Sequence, residues 1–286
     1  MITEHASALK KAPSWLYKAG AQLYIDKTYP RHLFIETTAK CNLSCSYCPR
    51  EDASNHMDFE LFRQILDEAS EYGPRSFSLH LFGEPLLYPR ILDAVEYIKR
   101  KNKRNRVLLT TNGTYLNKFV DELIRLRVDR IIWSWRKEAR FKPETIEKLK
   151  RWGKFLVRIL IEETPKEEYE RWKEWQPIEY RNLHNYGGEV DLQKYGVQTT
   201  DTQRWPCYHL WLAPAVAWNG NILICCSDPH QKEVIGRFPE VNVAEAWKKI
   251  ELLRESHLRG EFNGICRDCD VWKQYPDLFF KWQKSS

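Results

Sequence analysis

The sequence predicts an α/β chain: a parallel sheet curved into a partial (β/α)6 barrel, followed by a small C-terminal α+β unit. Three observations predict it. Between about residues 32 and 184, six β-rich runs alternate with amphipathic helical segments, the pattern of a parallel sheet with right-handed crossovers. At Tyr186-Gly187-Gly188 that alternation stops. The eight cysteines fall into an N-terminal three and a C-terminal five, with none between Cys48 and Cys207.

The expected strands are HLFIETT (32–38), SFSLHLF (76–82), RVLLTTN (106–112), RIIWSW (130–135), KFLVRILI (154–161) and PIEYRNLH (177–184). In the helical segment FELFRQILDEA, Phe59, Phe62, Ile65, Leu66 and Ala69 share one face. YPRILDAVEYIKRK, LNKFVDELIRLR, PETIEKLKRW and KEEYERWKEW continue the alternation. Pro143 suits a first helical turn. After a polar stretch at 190–205, two apolar runs flank Asn219-Gly220, a strong hairpin signal. A helix is expected over about 242–258, with Asn242 and Glu245 spaced as a capping box. The division that follows is an N-terminal helical extension (1–29), the barrel (30–188) and the second unit (189–286).

The chain has 286 residues, a net charge of +6 and 43% hydrophobic residues. No apolar run is long enough for a transmembrane helix, and the first twenty residues lack the apolar centre of a signal peptide. The expected location is therefore the cytoplasm. The basic run Lys99 to Arg106 reads as a solvated helix end and loop rather than a nucleic-acid contact. Eight cysteines without an export signal argue for metal or redox chemistry, not a disulfide scaffold.

The first cysteine group is CNLSCSYC, with Cys41, Cys45 and Cys48 at the end of the first strand. In a barrel that edge carries the active site. A closed structural zinc takes four protein ligands, and no histidine lies in this loop for a catalytic zinc. Three thiolates suit an iron–sulfur cluster with one iron left open. The second group offers four ligands, Cys207, Cys225, Cys266 and Cys269, with Cys226 in excess and able to stand in for Cys225. Ligand count alone leaves a 4Fe–4S cluster and an all-cysteine zinc site both open.

The spacing C-x3-C-x-aromatic-C resembles the signature of the radical SAM superfamily. The resemblance extends through Phe82-Gly83-Glu84-Pro85, similar to a G-G-E-P turn with phenylalanine at its first position. It continues through Thr110-Thr111-Asn112-Gly113-Thr114 and Ser134. Many relatives carry Ser-x-Asp at the fourth strand's end, whereas this chain has Ser134-Trp135-Arg136. The pattern Cys207…Gly220-x4-Cys225…Cys266-x2-Cys269 resembles the twitch form of the SPASM-type extension.

The resemblance implies a TIM-like core with a twitch domain. Cys41, Cys45 and Cys48 would hold a 4Fe–4S cluster whose fourth iron S-adenosylmethionine chelates. Tyr47, Gly83, Glu84, Pro85, Asn112 and Ser134 would surround that cofactor. Cys207, Cys225, Cys266 and Cys269 would hold an auxiliary 4Fe–4S cluster that oxidises a substrate radical. It implies a flavodoxin or ferredoxin donor, and as substrate either a small polyol or sugar-like molecule or a peptide side chain, as in sulfatase maturases. A different class of reading is a non-catalytic metal- or nucleic-acid-binding module. Substrate contacts are expected at the strand ends, with Trp133, Trp135, Arg136, Glu162, Glu163, His184 and Asn185 as candidates.

Overall fold

The computed structural model describes residues 25–50, 55–197, 204 and 206–274. Most of the expected N-terminal helical extension, residues 1–24, lies outside the described residues, as does the aromatic tail from 275.

Strands β1 (His32–Ile35), β2 (Ser76–Ser78), β3 (Arg106–Thr111), β4 (Arg130–Ser134), β5 (Phe155–Leu160) and β6 (Ile178–Arg181) pair in parallel in chain order. Helices α1 (Phe59–Glu71), α2 (Ile91–Lys101), α3 (Leu116–Arg125), α4 (Pro143–Trp152) and α5 (Lys166–Trp172) connect them. Asp58 caps α1, accepting the Glu60 and Leu61 amides at 2.8 and 3.1 Å. Pro143 opens α4, and Gly153 ends it with φ of +71°, the left-handed stop that favours glycine.

The strands have two buried faces with different chemistry, because side chains alternate along each strand. One set contains Leu33, Ile35, Phe77, Leu79, Val107, Leu109, Ile131, Trp133, Val157 and Ile159, each at most 2% exposed. These join Phe62, Ile65 and Leu66 of α1 and Ile91, Val95 and Ile98 of α2 in the main core. Burying each such side chain contributes roughly 1.5–3 kcal/mol. The other set faces inward and builds the site described below.

The second unit is joined to the barrel by the sheet itself. β7 (Ala215–Val216) pairs in parallel with β1, and β8 (Asn221–Leu223) and β9 (Val234–Arg237) follow in antiparallel. The result is one nine-stranded sheet, β6-β5-β4-β3-β2-β1-β7-β8-β9. The Asn219-Gly220 hairpin is as expected; β9 is an addition, short and with a register shift between its pairings to Ile222 and Leu223. The helix expected over 242–258 is two helices, α7 (Val243–Lys249) and α8 (Glu251–Arg259), preceded in the chain by the single turn α6 (His209–Leu212). The capping box of Asn242 and Glu245 is present at the start of α7. Among the described residues no helix is long and apolar enough to cross a membrane.

Candidate active site

The inward strand positions include His32 and Phe34 on β1, Ser78 on β2 with His80 just beyond it, Thr110 on β3, Ser134 on β4 and Arg158 on β5. They line a cavity of about 360 Å³. Cys41, Cys45 and Cys48 lie at its rim, on the loop that leaves β1. Between Cys45 and Cys48 the loop turns tightly, the Cys48 amide donating to the Cys45 carbonyl at 3.0 Å.

Neighbouring loops brace this turn. The Asn112 side-chain amide donates to Asn42 Oδ1 at 3.0 Å and approaches Cys41 Sγ at 3.8 Å. Asn42 donates in turn to Thr114 Oγ1 at 3.0 Å. Glu84 is 2% exposed. Its carboxylate accepts from the Thr111 hydroxyl and the Asn112 amide at 2.7 Å each, and from the Leu86 amide at 3.1 Å. Burial lifts its pKa to about 7 against the pull of those hydrogen bonds. Thus Glu84 fastens the loop after β2 to the loop after β3, while the Glu84 amide donates to the Lys40 carbonyl at 2.8 Å beside the cysteine loop. Pro85 begins the short 3₁₀ turn that follows.

Gly83 is required here by space. A Cβ at that position would stand 2.0 Å from the Thr38 carbonyl oxygen, a backbone atom that cannot step aside. Gly83→Ala is expected to destabilise the fold by about 1–3 kcal/mol and to weaken S-adenosylmethionine binding at least about tenfold. Thermal melting and equilibrium dialysis of the reconstituted protein check the two effects separately.

Tyr47 is 4% exposed and carries the Arg136 guanidinium over its ring, 5.3 Å from the centroid. Arg136 and His184 line the cavity, as does Ser134. Trp133, Trp135, Glu162, Glu163 and Asn185 do not. Trp133 and Trp135 lie two residues apart, on the face opposite Ser134, and donate to the Asn112 carbonyl and to Glu168 at 3.1 and 3.0 Å. The Glu162 carboxylate accepts the Leu183 amide at 2.8 Å. Asn185 latches the end of the barrel to the last cysteine loop: its amide nitrogen and side chain donate to Asp270 Oδ1 and the Asp268 carbonyl at 2.8 and 2.6 Å.

Four further wall residues belong beside the expected ones: His80, Arg158, Arg181 and His209. For Arg158 and Arg181 the signal was a polar side chain in the middle or at the end of a buried strand; His80 follows β2 and His209 opens the helical turn α6. His80 Nδ1 accepts the Thr110 amide at 3.1 Å, so in the neutral ring Nε2 carries the proton. Burial, together with Arg158 and His32, pushes its pKa down to about 3. Burial does the same to His184 and His209, each to about 3. Behind the wall Glu179 joins Arg158 at 2.8 Å and Arg181 at 2.7 Å.

The second cysteine group divides cleanly. Cys207, Cys225, Cys266 and Cys269 line one small chamber with Arg204 and His257. Cys226, its neighbour's opposite in strand-like alternation, lines the main cavity, with His209 nitrogens 3.9 and 4.0 Å from its sulfur. All eight cysteines are free. Burial pushes the Cys266 thiol up to about 12 and the Cys207 and Cys225 thiols well above their ordinary range. Such thiols ionise when a metal takes the place of their protons. Among the described residues no three His, Cys, Asp or Glu side chains converge on a single metal ion.

Two family models match the chain. The radical SAM superfamily model covers residues 35–134, and the SPASM iron–sulfur cluster-binding domain covers 207–270. The chain belongs to the radical SAM superfamily. It carries the SPASM domain of that subgroup, and its cofactors are S-adenosylmethionine and two 4Fe–4S clusters. The non-catalytic reading falls with that membership.

This radical SAM chain is 24% identical over 254 residues to the S-adenosyl-L-methionine-dependent 2-deoxy-scyllo-inosamine dehydrogenase of Niallia circulans. The match covers 82% of this chain and 91% of that one. It is 37% identical over 111 residues to the tungsten-containing aldehyde ferredoxin oxidoreductase cofactor-modifying protein of Pyrococcus furiosus. That match covers 36% of this chain and only 30% of the relative. The crystal structure of BtrN with AdoMet and 2-DOIA shares its fold, with a TM-score of 0.64 at 22% identity over 86% of this chain and 97% of that one.

Proposed function

We propose that this radical SAM enzyme is a dehydrogenase of a small polyol or sugar-like molecule, converting a carbinol to a ketone. The observation that carries the reading is the cavity: about 360 Å³, at the small end for small-molecule sites, with hydrogen-bonding groups on the inward face of each strand from β1 to β6.

The proposed roles follow the two sulfur sets. Cys41, Cys45 and Cys48 hold the cluster that S-adenosylmethionine ligates; Cys207, Cys225, Cys266 and Cys269 hold the auxiliary one. When bound, these groups would supply reductive cleavage of S-adenosylmethionine for hydrogen abstraction, and an acceptor for the electron the substrate then gives up, the hydroxyl proton leaving to solvent. Tyr47, Gly83, Glu84, Asn112 and Ser134 orient the cofactor. His80 offers its Nε2–H to a substrate oxygen, and His184, held neutral by burial, offers a further hydrogen-bonding position, while His209 Nε2 is taken by the Tyr208 hydroxyl at 2.8 Å. The apolar belt outside the strands keeps bulk water from the barrel, which protects a reactive radical.

Residues 30–188 form the catalytic core in this reading, and 189–286 the auxiliary-cluster unit. A low-potential flavodoxin or ferredoxin supplies the electron, and a net charge of +6 suits such an acidic partner. Eight free cysteines suit the reducing cytoplasm.

The test is anaerobic reconstitution followed by incubation with a panel of aminocyclitols, sugars and polyols. A substrate should yield ketone and 5′-deoxyadenosine in equal amounts, with deuterium passing from the carbinol carbon into the 5′-deoxyadenosine. Turnover with peptides alone would establish the maturase reading instead.

A further inference from the structure

One buried donor in the second chamber has no partner among the described residues. His257 lies on α8 and is 1% exposed. Its Nδ1 accepts the Cys207 amide at 3.3 Å. A neutral imidazole carries one proton, so that proton is on Nε2. Nε2 is buried and makes no hydrogen bond to any described residue. The ring is held in place by Phe262, packed edge-on at 4.8 Å. Its helix is tied down by Arg254, whose Nε donates to the Leu210 carbonyl at 2.7 Å. The ring therefore cannot swing out to find water.

The chamber that His257 lines is shared with the sulfurs of Cys207, Cys225, Cys266 and Cys269. His209, Ser227 and Arg204 also line it; none of them bonds His257 Nε2, and Arg204 gives its terminal nitrogens to the Cys266 and Arg267 carbonyls. It holds the C-x2-C loop and provides no acceptor for His257. Buried N–H groups are almost always paired, and the acceptors a cluster brings to this chamber are sulfurs.

We infer that His257 donates its Nε2–H to a sulfur of the auxiliary cluster and thereby raises that cluster's reduction potential. The inference rests on the assignment of a cluster to these four thiols. Reduction adds negative charge to the cluster, and a hydrogen bond to sulfur stabilises the reduced form more than the oxidised one; hydrogen bonds to the sulfurs are among the factors that set such potentials. The cluster becomes a better acceptor for the electron leaving the substrate. His257 is in this sense a positioning and tuning residue, reached by neither substrate nor S-adenosylmethionine.

Two substitutions separate the two ring nitrogens. His257→Asn keeps an acceptor for the Cys207 amide and loses the distal donor. His257→Gln restores an N–H near the Nε2 position. The auxiliary cluster is titrated electrochemically in the full chain with both clusters loaded. S-adenosylmethionine, which ligates only the other cluster, distinguishes the two paramagnetic signals. His257→Asn should disfavour reduction of the auxiliary cluster by roughly tenfold, about 59 mV for one electron, and His257→Gln should recover most of that shift. In the unsubstituted enzyme grown on ¹⁵N-histidine, the reduced auxiliary cluster should show hyperfine coupling to a ring nitrogen. An unchanged potential in His257→Asn, or no ring-nitrogen coupling in the unsubstituted enzyme, overturns the inference. If the unsubstituted enzyme holds only one cluster, the assignment beneath it fails first, and the iron count identifies that outcome.

Discussion

Replacing Cys41, Cys45 and Cys48 together with alanine should abolish S-adenosylmethionine cleavage while leaving the fold intact. The three side chains are only partly buried, at the rim of the cavity, so their removal opens no core void of the kind that costs several kcal/mol. The loop keeps its frame, because Asn42, Asn112 and Glu84 are braced by one another and by backbone, and the one sulfur contact among them, Asn112 to Cys41 Sγ, is long at 3.8 Å. Iron should fall from roughly eight to about four per chain, the auxiliary cluster remaining. 5′-Deoxyadenosine should drop by at least about a thousandfold, to the level of the uncatalysed control. Iron analysis with chromatography of the quenched reaction reads both. Cleavage that survives at more than a few per cent of the unsubstituted rate, with iron reduced, would mean that the other cluster activates S-adenosylmethionine and that the two roles are reversed.

The barrel was legible because its strands are buried on both sides and its helices on one. Runs such as RVLLTT and FLVRIL are short, β-branched and bounded by turns, and each is followed by an amphipathic segment. The Asn219-Gly220 turn and the capping box at Asn242 were legible for a local reason: both depend on residues within three positions of each other. β9 was not legible, because VIGR has neither length nor clean alternation and exists only as the partner of β8. The break at Ile250 escaped for the opposite reason. The helical period runs through it, and only the need to turn α8 against Leu210 separates the two helices.

The site divided along similar lines. The sulfur ligands announce themselves by spacing. The substrate wall does not, since Arg158, Arg181 and His80 are far apart in sequence and meet only when the sheet curves. Trp135 and Glu162 had the right strand ends but the wrong faces or partners: one reaches Glu168, the other the Leu183 amide. Alternation would have excluded Trp135, because Ser134 and Trp135 cannot both look inward.

Glu179→Gln, behind the cavity wall, should destabilise the fold strongly. Glu179 accepts from Arg158 at 2.8 Å and Arg181 at 2.7 Å, and the three side chains are 27%, 16% and 20% exposed. Burial alone would raise its pKa, but the two guanidinium groups outweigh it and hold the carboxyl down at about 2, from an ordinary value of 4.5. Glutamine keeps the shape and one acceptor oxygen, yet leaves two positive charges facing each other without their counter-ion. Breaking a pair in this way costs about 3 kcal/mol, read as a lower urea midpoint at pH 7.

The pH dependence separates this cause from a packing defect. A carboxyl whose folded pKa is depressed contributes stability above its unfolded pKa and loses it as pH falls through the folded one. The window is therefore 4.5 down to about 2. The gap between Glu179→Gln and the unsubstituted chain should narrow by about 1 kcal/mol between pH 7 and pH 4. His80, His184 and His209, depressed to about 3 from 6.5, also weaken the fold on acidification, but over the earlier window that opens below pH 6.5. That loss is common to both proteins and cancels in the difference, provided the histidines keep their environment. A gap that stays constant from pH 7 to pH 4 would show that Glu179 acts through shape, and that the charge of the trio does not hold the wall together.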